Sequence, residues 1–267
     1  MIENTYEKIV SLKELSIHLG GKMVLNRISL DVYRGQIIGY IGPNGAGKST
    51  TVKIMLGLMD AYQGDVEIFG KDIASGDHTY KRRIGYVPEN AEIYDNLTAQ
   101  EYLTFVGQLY GMEEREIENK ARKLMAQFDM ENVFHTRISS FSKGMRQKVL
   151  IISSLLHDPD LLFLDEPLNG LDANSVMIIK EILAQLAAQG KTIFYSSHIM
   201  DVVEKISNRI ILLAEGEIVA DGSFSELQKK NTEGTLEEIF NQLTGFNEHK
   251  EIAGEFVRIV NGGKRDG

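Results

Sequence analysis

The sequence predicts an α/β fold, in which a mostly parallel β-sheet is covered by helices on both faces. Short apolar runs typical of buried strands alternate along the chain with segments whose apolar residues recur at helical spacing. A glycine-rich loop at residues 42–50 lies directly between one such strand and one such helix. The chain of 267 residues is long enough for one large α/β domain, or for a core domain with a smaller insert.

The composition excludes several classes of function. A net charge of −9 makes nucleic acid a poor candidate ligand, because duplex binders normally carry a basic patch. The absence of cysteine excludes disulfides, thiolate metal sites and cysteine nucleophiles. Residues 1–8 carry no signal-peptide core, and no apolar run approaches the roughly 18 residues of a membrane span. We therefore expect a cytosolic protein that a partner must hold if it works at a membrane.

The N-terminal part is predicted to be an antiparallel β-structure. Residues 8–34 alternate apolar and polar side chains, with Leu30 and Val32 on one face and Asp31 on the other. Gly20-Gly21 marks a hairpin turn within this stretch. A further short strand is predicted over residues 65–70.

The glycine-rich loop at residues 42–50 matches the phosphate-binding pattern G-x-x-x-x-G-K-[S/T] without a mismatch. It lies between a predicted strand at 36–41 and a predicted helix at 51–58. Its glycines allow successive backbone N–H groups to face phosphate oxygens, Lys48 supplies a charge for the β- and γ-phosphates, and the Ser49 hydroxyl is placed to bind Mg²⁺. The candidate nucleotide-binding residues of this loop are Gly42, Pro43, Asn44, Gly45, Ala46, Gly47, Lys48, Ser49 and Thr50.

A helical insert is predicted after the next strand of the core. That strand covers residues 83–88, and Pro88 ends it. Residues 100–109 and 117–128 then carry apolar side chains at helical spacing, with charged residues on the opposite face. The insert could serve only for packing, which is the default interpretation.

The C-terminal half returns to strand–helix alternation. Helices are predicted at 142–156, 173–189 and 200–205, and strands at 161–166 and 191–196. The remaining predictions are a hairpin of 209–214 with 217–221, a short docking helix after a capping box of Thr235 and Glu238, and disorder over 261–267.

Two acidic residues follow the strand at 161–166 and are candidates for chemistry. In an open α/β sheet, ligands bind outside the carboxyl ends of the strands, so Asp165 and Glu166 are expected to approach the phosphate-binding loop. Asp165 would hold Mg²⁺ through water, and Glu166 would take a proton from an attacking water; a solvated acidic turn is the alternative. His198 follows a third strand and would join them, although a lone histidine often has a structural role.

The start of the helix at Ser142 has two possible roles. Ser142 is a good N-cap, and an exposed helix N-terminus is also an anion site. One domain cannot easily bring this helix start and its own phosphate-binding loop onto the same phosphate. A second copy could do so, which indicates a dimer with nucleotide between the copies.

Taken together, these motifs resemble those of the nucleotide-binding subunits of ABC transporters. Residues 42–50 match the Walker A motif of that family, and residues 161–166 match Walker B. Residues 142–147 resemble the signature motif, Leu171-Asp172 the D-loop, and His198 the switch histidine. The order and spacing of five motifs make the resemblance highly specific.

The resemblance implies the domain organisation. It extends from about residue 8 to 245, so an ABC-type ATP-binding domain at 1–245 and a C-terminal tail at 246–267 are expected. The domain would contain a P-loop NTPase core with a mostly parallel sheet, an N-terminal antiparallel β-subdomain, and a helical subdomain inserted at about 89–145.

The resemblance also implies the partners and the roles of the site residues. Two such domains, in a homodimer or pseudo-dimer, would pack head to tail around two ATP with Mg²⁺, and would drive an integral membrane permease from the cytoplasmic side. Glu166 would be the general base, and His198 would contact the γ-phosphate. The nucleotide held by the other copy would face Ser142, Gly144 and Asp172. The metal ligands would be Ser49, Asp165 and Glu89.

Several positions depart from the usual pattern of the family. Lys143 and Met145 stand in the signature where the family usually has other residues, Glu89 replaces the Q-loop glutamine, and Leu19 replaces the aromatic residue that would stack on adenine. The Pro88-Glu89 pair and the Lys-Gly-Met signature resemble a bacterial subgroup that pairs with separately encoded permeases, often as exporters.

Two other functions remain open. The chain could be an ABC-type ATPase that acts as a regulatory or assembly module without transport, as in iron–sulfur assembly or translation; its acidic charge and single domain count against the translation version. A nucleoside kinase with the same phosphate-binding loop is weaker, because it leaves the helix start at Ser142 and His198 unexplained.

Overall fold

A computed structural model describes residues 7–90, 93–230, 234–245 and 249–260. Within these residues the chain forms ten β-strands and nine α-helices. The strands are β1 (Lys8–Leu19), β2 (Lys22–Tyr33), β3 (Ile37–Ile41), β4 (Gln63–Ile68), β5 (Lys71–Asp72), β6 (Ile84–Val87), β7 (Leu161–Asp165), β8 (Thr192–Ser196), β9 (Arg209–Ala214) and β10 (Glu217–Gly222). The helices are α1 (Lys48–Met55), α2 (Ala99–Leu109), α3 (Glu114–Ala126), α4 (Lys143–Leu155), α5 (Ala173–Ala188), α6 (Met200–Ile206), α7 (Phe224–Lys230), α8 (Leu236–Thr244) and α9 (His249–Val260).

The predicted antiparallel β-structure is confirmed as a four-stranded sheet with the order β2-β1-β4-β5. The turn between β1 and β2 uses Gly20 and Gly21, which have φ values of +57° and +78°. Strand β4 begins and ends two residues earlier than predicted. The chain turns after Ile68 because Phe69 and Gly70 adopt left-handed backbone conformations, with φ of +52° and +71°.

The second sheet has six strands in the order β10-β9-β3-β8-β7-β6. Strands β9, β3, β8, β7 and β6 are parallel to their neighbours, and only β10 pairs antiparallel, as the predicted hairpin with β9. The register pairs Gly39 with Tyr195, and Asp165 with Ser196. The carboxyl ends of β3, β7 and β8 therefore lie side by side, and the segments that follow them meet at one edge of the sheet.

The parallel sheet is buried on both faces, as its apolar strands predict. On one face Tyr40, Phe163 and Phe194 pack against α1 and the antiparallel sheet, with ring centroids 5.5 Å apart from Tyr40 to Phe194 and from Phe163 to Phe194. On the other face Leu164 and Tyr195 pack against helices α4, α5 and α6. Helices thus cover both faces, and the antiparallel sheet shares one of them.

The segment predicted as a helical insert contains α2 and α3. The buried face of α3 presents Ile117, Ala121 and Met125. The two helices approach closely at Gly107, where an added Cβ would lie 2.6 Å from the Cγ1 atom of Ile117. This packing makes the insert part of the same apolar core as α4 and the parallel sheet.

The C-terminal region contains the predicted capped helix, α8, and two helices that were not predicted, α7 and α9. The Thr235 hydroxyl accepts a hydrogen bond from the backbone N–H of Glu238 (3.3 Å), and the Glu238 carboxylate accepts one from the backbone N–H of Thr235 (2.9 Å), which confirms the capping box. Helix α9 lies in the segment expected only to be a tail. Residues 261–267, predicted to be disordered, lie outside the described residues. None of the helices described is both long and apolar enough to cross a lipid bilayer.

Candidate functional site

Glycine at three positions allows the loop between β3 and α1 to fold as it does. Gly45 and Gly47 have φ of +81° and +106°, a region that favours glycine. A Cβ on Gly47 would lie 2.4 Å from the Cδ2 atom of Leu25, and a Cβ on Gly42 would lie 2.3 Å from the carbonyl oxygen of Leu213. The loop is therefore pressed against the antiparallel sheet and β9, with its backbone at the carboxyl edge of the parallel sheet.

Lys48 is held inside this loop. Its ammonium nitrogen donates hydrogen bonds to the carbonyl oxygens of Gly42 (2.7 Å) and Pro43 (3.2 Å), and only 8% of the residue is exposed. Burial lowers the pKa of Lys48, and the nearby carboxylates of Asp165 and Glu166 oppose that shift. The loop thus fixes a cation beside the position where a bound anion would lie.

Two hydrogen bonds connect the first turn of α1 to the loop and to strand β3. Thr51 donates from its hydroxyl to the carbonyl oxygen of Gly47 (3.0 Å), and the hydroxyl of Tyr40 donates to that of Thr51 (3.1 Å). Burial raises the pKa of Tyr40 to about 12, so its hydroxyl stays protonated as the donor. This chain of hydrogen bonds joins β3 to the helix start.

A cavity of about 590 Å³ opens above this loop at the edge of the sheet. It brings together the candidate loop residues, the metal candidates and the catalytic candidates from four separate segments of the chain. Its walls are formed by Leu19, Lys22, Val24, Asn44, Gly45, Gly47, Lys48, Ser49, Thr50, Glu89, Asp165, Glu166, Ser196 and His198. Three loop residues do not line the cavity: Gly42 and Pro43 accept the hydrogen bonds from Lys48, and Ala46 is buried.

Glu166 occupies the floor of the cavity in a constrained conformation. Its φ of +48° is unusual for a residue with a side chain, and only 4% of its surface is exposed. One carboxylate oxygen, Oε2, accepts a hydrogen bond from the Ser197 hydroxyl (3.1 Å), and the other, Oε1, lies 3.4 Å from Nε2 of His198. Burial raises the pKa of Glu166, although the His198 charge and the Ser197 hydrogen bond act in the opposite direction. The geometry therefore provides a carboxylate suited to accept a proton, next to an imidazole.

Ser197 is a site residue that the sequence reasoning did not single out. Its hydroxyl accepts a hydrogen bond from the backbone N–H of Ile199 (3.1 Å) while it donates to Glu166. The sequence indicated only that Ser197 lies between the end of a strand and His198. Any small polar residue at this position would have given the same indication.

Ser49 and Asp165 form the part of the cavity that fits a divalent cation. The Ser49 hydroxyl lies 3.3 Å from Oδ2 of Asp165, and Glu89 stands on the exposed wall of the same cavity. No group of three or more His, Asp or Glu side chains forms a closed metal site in the described part of the chain. This arrangement suits Mg²⁺, which is usually bound by one or two protein ligands together with phosphate oxygens and water.

Three predicted nucleotide-binding residues, Ser142, Gly144 and Asp172, do not line this cavity. Ser142 is the N-cap of α4, and its hydroxyl accepts from the backbone N–H of Met145 (3.2 Å). Asp172 is the N-cap of α5, and the hydrogen bonds donated by Ser175 lower its pKa. A Cβ on Gly144 would lie 2.7 Å from the carbonyl oxygen of Gly170. Within one copy these residues therefore have local structural roles.

The wall at the mouth of the cavity is aliphatic. Leu19, at the position where the ABC family usually has an aromatic residue, exposes 38% of its surface, and Val24 lines the same wall. His18 is exposed and does not contribute to the wall. A flat apolar group bound here would contact aliphatic side chains rather than stack on a ring.

Comparison with known proteins identifies the family of this chain. The family profile described as ABC transporter matches residues 25–169. The chain belongs to the ABC transporter family of ATP-binding subunits. The ABC transporter ATP-binding protein NatA of Bacillus subtilis is 37% identical over 214 residues, which are 80% of this chain and 87% of NatA. An ABC transporter ATP-binding protein from Synechocystis is 41% identical over 76% of this chain, and the match spans 57% of that longer protein.

Solved structures of ABC ATP-binding subunits share the fold. An ATP-binding subunit of an ABC transporter superposes with a TM-score of 0.83 at 34% identity, over 88% of this chain and 99% of that chain. A dimeric ATP-binding cassette bound to ADP and phosphate superposes with a TM-score of 0.74 at 26% identity, over 80% of this chain and 98% of that chain. The predicted fold class is thus confirmed, and the chain is an ABC-type ATPase.

The buried carboxyl of Glu166 predicts a pH-dependent stability. Because its pKa is raised on folding, the charged form destabilises the folded state at neutral pH, and this cost disappears as the pH falls through the raised pKa. Glu166→Gln is therefore expected to raise the melting temperature of the nucleotide-free protein at pH 7.5. The gain should shrink as the pH approaches 4.5, which thermal unfolding across a pH series measures.

Glu238→Gln provides the control, because that carboxylate lies at an exposed helix start. Equal or lower stability of Glu166→Gln at pH 7.5 would show that burial does not penalise the Glu166 carboxylate.

Proposed function

We propose that two copies of this chain bind two ATP molecules between them, hydrolyse them, and drive a separate membrane permease in the export direction. The observation that carries the proposal is the single cavity in which Lys48, Ser49, Asp165, Glu166 and His198 converge. These groups supply a charge for phosphate, ligands for Mg²⁺, a proton acceptor and an imidazole, which are the groups that nucleotide hydrolysis requires.

The proposed hydrolysis uses Glu166 as the general base. Its raised pKa brings it closer to the working pH than an ordinary carboxyl, which favours transfer of a proton from water. His198, 53% exposed at its side chain and 3.4 Å from the carboxylate, would contact the γ-phosphate. Lys48 would then exchange its carbonyl partners for phosphate oxygens. Mg²⁺, held by Ser49 and Asp165 with Glu89 nearby, would neutralise charge on the phosphates when bound.

A second copy is proposed because one chain leaves part of the expected nucleotide site unused. Ser142 is exposed at the start of α4, and neither Gly144 nor Asp172 reaches the cavity of the same chain. Helix α4 therefore presents its N-terminus outward, where the nucleotide of another copy could meet it. The related cassette of known structure, which is dimeric and binds ADP and phosphate, supports this arrangement.

The proposed contact with the permease is the insert that contains α2. Tyr94, Phe105 and Leu109 expose 63%, 42% and 68% of their surfaces, and the rings of Tyr94 and Phe105 pack edge to face with centroids 5.8 Å apart. Such an apolar patch is typical of an interaction surface. Export is proposed on the resemblance of Pro88-Glu89 and the Lys-Gly-Met signature to the subgroup that pairs with separate permeases.

Glu166→Gln tests the hydrolytic role. We expect the rate of ATP hydrolysis to fall roughly 10²- to 10⁴-fold, the usual contribution of a general base, while ATP still binds. Phosphate release and nucleotide binding measured on the same protein separate the two effects. A matched Glu226→Gln change at an exposed helix start should leave the rate unchanged. Normal hydrolysis by Glu166→Gln would remove Glu166 from the mechanism.

Ser142→Asp separates the capping role of Ser142 from its proposed contact with phosphate. Aspartate is an equally good N-cap, so α4 should remain intact, but its charge would repel the triphosphate of the second copy. We expect Glu166→Gln protein to dimerise with ATP and Mg²⁺, and the added Ser142→Asp change to abolish the dimer in light scattering. Thr98→Asp, the same change at the N-cap of α2, should leave the dimer intact. Dimers that survive Ser142→Asp would contradict the shared site.

Phe105→Asp tests the partner. The wild-type protein, purified with detergent from membranes of its host, is expected to bring down a protein with several membrane spans, and Phe105→Asp should lose it. Asn119→Asp, an exposed change on α3, serves as the control. A complex made only of water-soluble proteins would instead favour the regulatory or assembly module. Uptake of cargo into inside-out vesicles on addition of ATP would establish export.

A further inference from the structure

One face of helix α4 packs along the segment that follows the proposed general base. The face consists of Gly144 and, one turn further along the helix, Gln147 and Lys148. The segment runs from Pro167 to Asp172 and links the end of β7 to the start of α5. Each of the three helix residues contacts it at a different point.

Gln147 makes the contact nearest to Glu166. Its side-chain amide donates a hydrogen bond to the carbonyl oxygen of Pro167 (3.0 Å), and only 3% of Gln147 is exposed. Pro167 is itself buried and directly follows Glu166 in the chain. Because water does not reach this carbonyl, loss of the donor would leave a buried acceptor unsatisfied.

The other two contacts continue along the same face. The absence of a side chain at Gly144 lets the helix approach the segment, because a Cβ on Gly144 would lie 2.7 Å from the carbonyl oxygen of Gly170. The Lys148 ammonium lies 3.4 Å from the Asp172 carboxylate. The helix is therefore joined to both ends of the segment and to its middle.

Glu166 depends on such support because its backbone is strained. A left-handed conformation of a residue with a side chain persists only where the surroundings impose it. Two hydrogen bonds hold the Glu166 backbone, its N–H to the carbonyl of Ser196 (2.9 Å) and its carbonyl from the N–H of Asn169 (3.2 Å). The next carbonyl in the chain is the one that Gln147 holds.

We infer that Gln147 is a positioning residue for the general base: its amide holds the Pro167 peptide and thereby keeps the Glu166 carboxylate directed into the cavity. The inference rests on the proposed function, since it assumes that Glu166 accepts the proton. It also gives α4 a second task, because the helix that presents Ser142 outward also supports the catalytic carboxylate of its own chain.

Gln147→Met removes the donor and keeps the length of the side chain. We expect kcat for ATP hydrolysis to fall roughly 5- to 100-fold, the range that corresponds to an unsatisfied buried carbonyl. The dissociation constant for ATP should stay within about twofold of the wild-type value, because Lys48 and the loop lie on other elements. Ser153→Ala, which removes a buried hydroxyl donor from the same helix, is the matched control and should retain kcat.

Gln147→Glu adds a readout that a purely structural role would not move. The carboxyl has the shape of the amide but can donate to the Pro167 carbonyl only when it is protonated. The ratio of the Gln147→Glu rate to the wild-type rate should therefore rise as the pH is lowered from 8.5 to 6. The corresponding ratio for Gln147→Met should stay constant.

The outcomes separate the inference from the function on which it rests. No ATP hydrolysis by the wild-type protein would refute the proposed function. Hydrolysis that Glu166→Gln abolishes, together with wild-type kcat in Gln147→Met, would refute only the positioning role, as would a parallel loss of ATP binding. If Gln147→Met does not fold, the pH ratio of Gln147→Glu decides: a flat ratio overturns the inference.

Discussion

The parallel pairing of β3, β8 and β7 is the constraint on which the site depends. Because these neighbours run in the same direction, the segments that follow them leave the sheet at one edge. The phosphate-binding loop precedes the carboxylates and the histidine by more than 100 residues in the chain, yet the Ser49 hydroxyl lies within hydrogen-bond distance of Asp165, at 3.3 Å. The apolar packing on both faces holds the strands in this register, so the core fixes the geometry of the polar groups at its edge.

Much of this arrangement could be predicted because its determinants are local. The loop glycines, the strand ending in Asp165 and the capping box at Thr235 each carry their signal within a few residues. The end of β4 could not be placed, since it depends on left-handed backbone at Phe69, which no propensity indicates. The contacts of Ser197 and Gln147 also escaped prediction, because each partner lies on a different element and is brought near only by the tertiary fold.

The electrostatics of the cavity follow from how each charge is buried. Lys48 loses water but gains two carbonyl acceptors, so the charged ammonium remains close to the carboxylates that favour it. The Oε1 atom of Glu166 is buried and faces the half-exposed imidazole of His198 at 3.4 Å, and burial raises the pKa of this carboxyl. Lys48, a cation held in place by its acceptors, favours binding of an anion. Glu166, a base whose charged form is incompletely stabilised, favours uptake of a proton.

The N-cap role of Ser142 does not compete with a role toward phosphate. The first four N–H groups of an α-helix have no intrahelical partner, and the Ser142 hydroxyl takes only the one from Met145. The N–H groups of Lys143 and Gly144 are earlier in the same turn and point out of the helix start, where the positive end of the helix dipole favours an anion. A serine at this position therefore stabilises α4 and leaves donors for a ligand. Ser142 is therefore compatible with both roles, the N-cap of α4 and the proposed contact with phosphate. For this reason the sequence alone could not choose between the two roles.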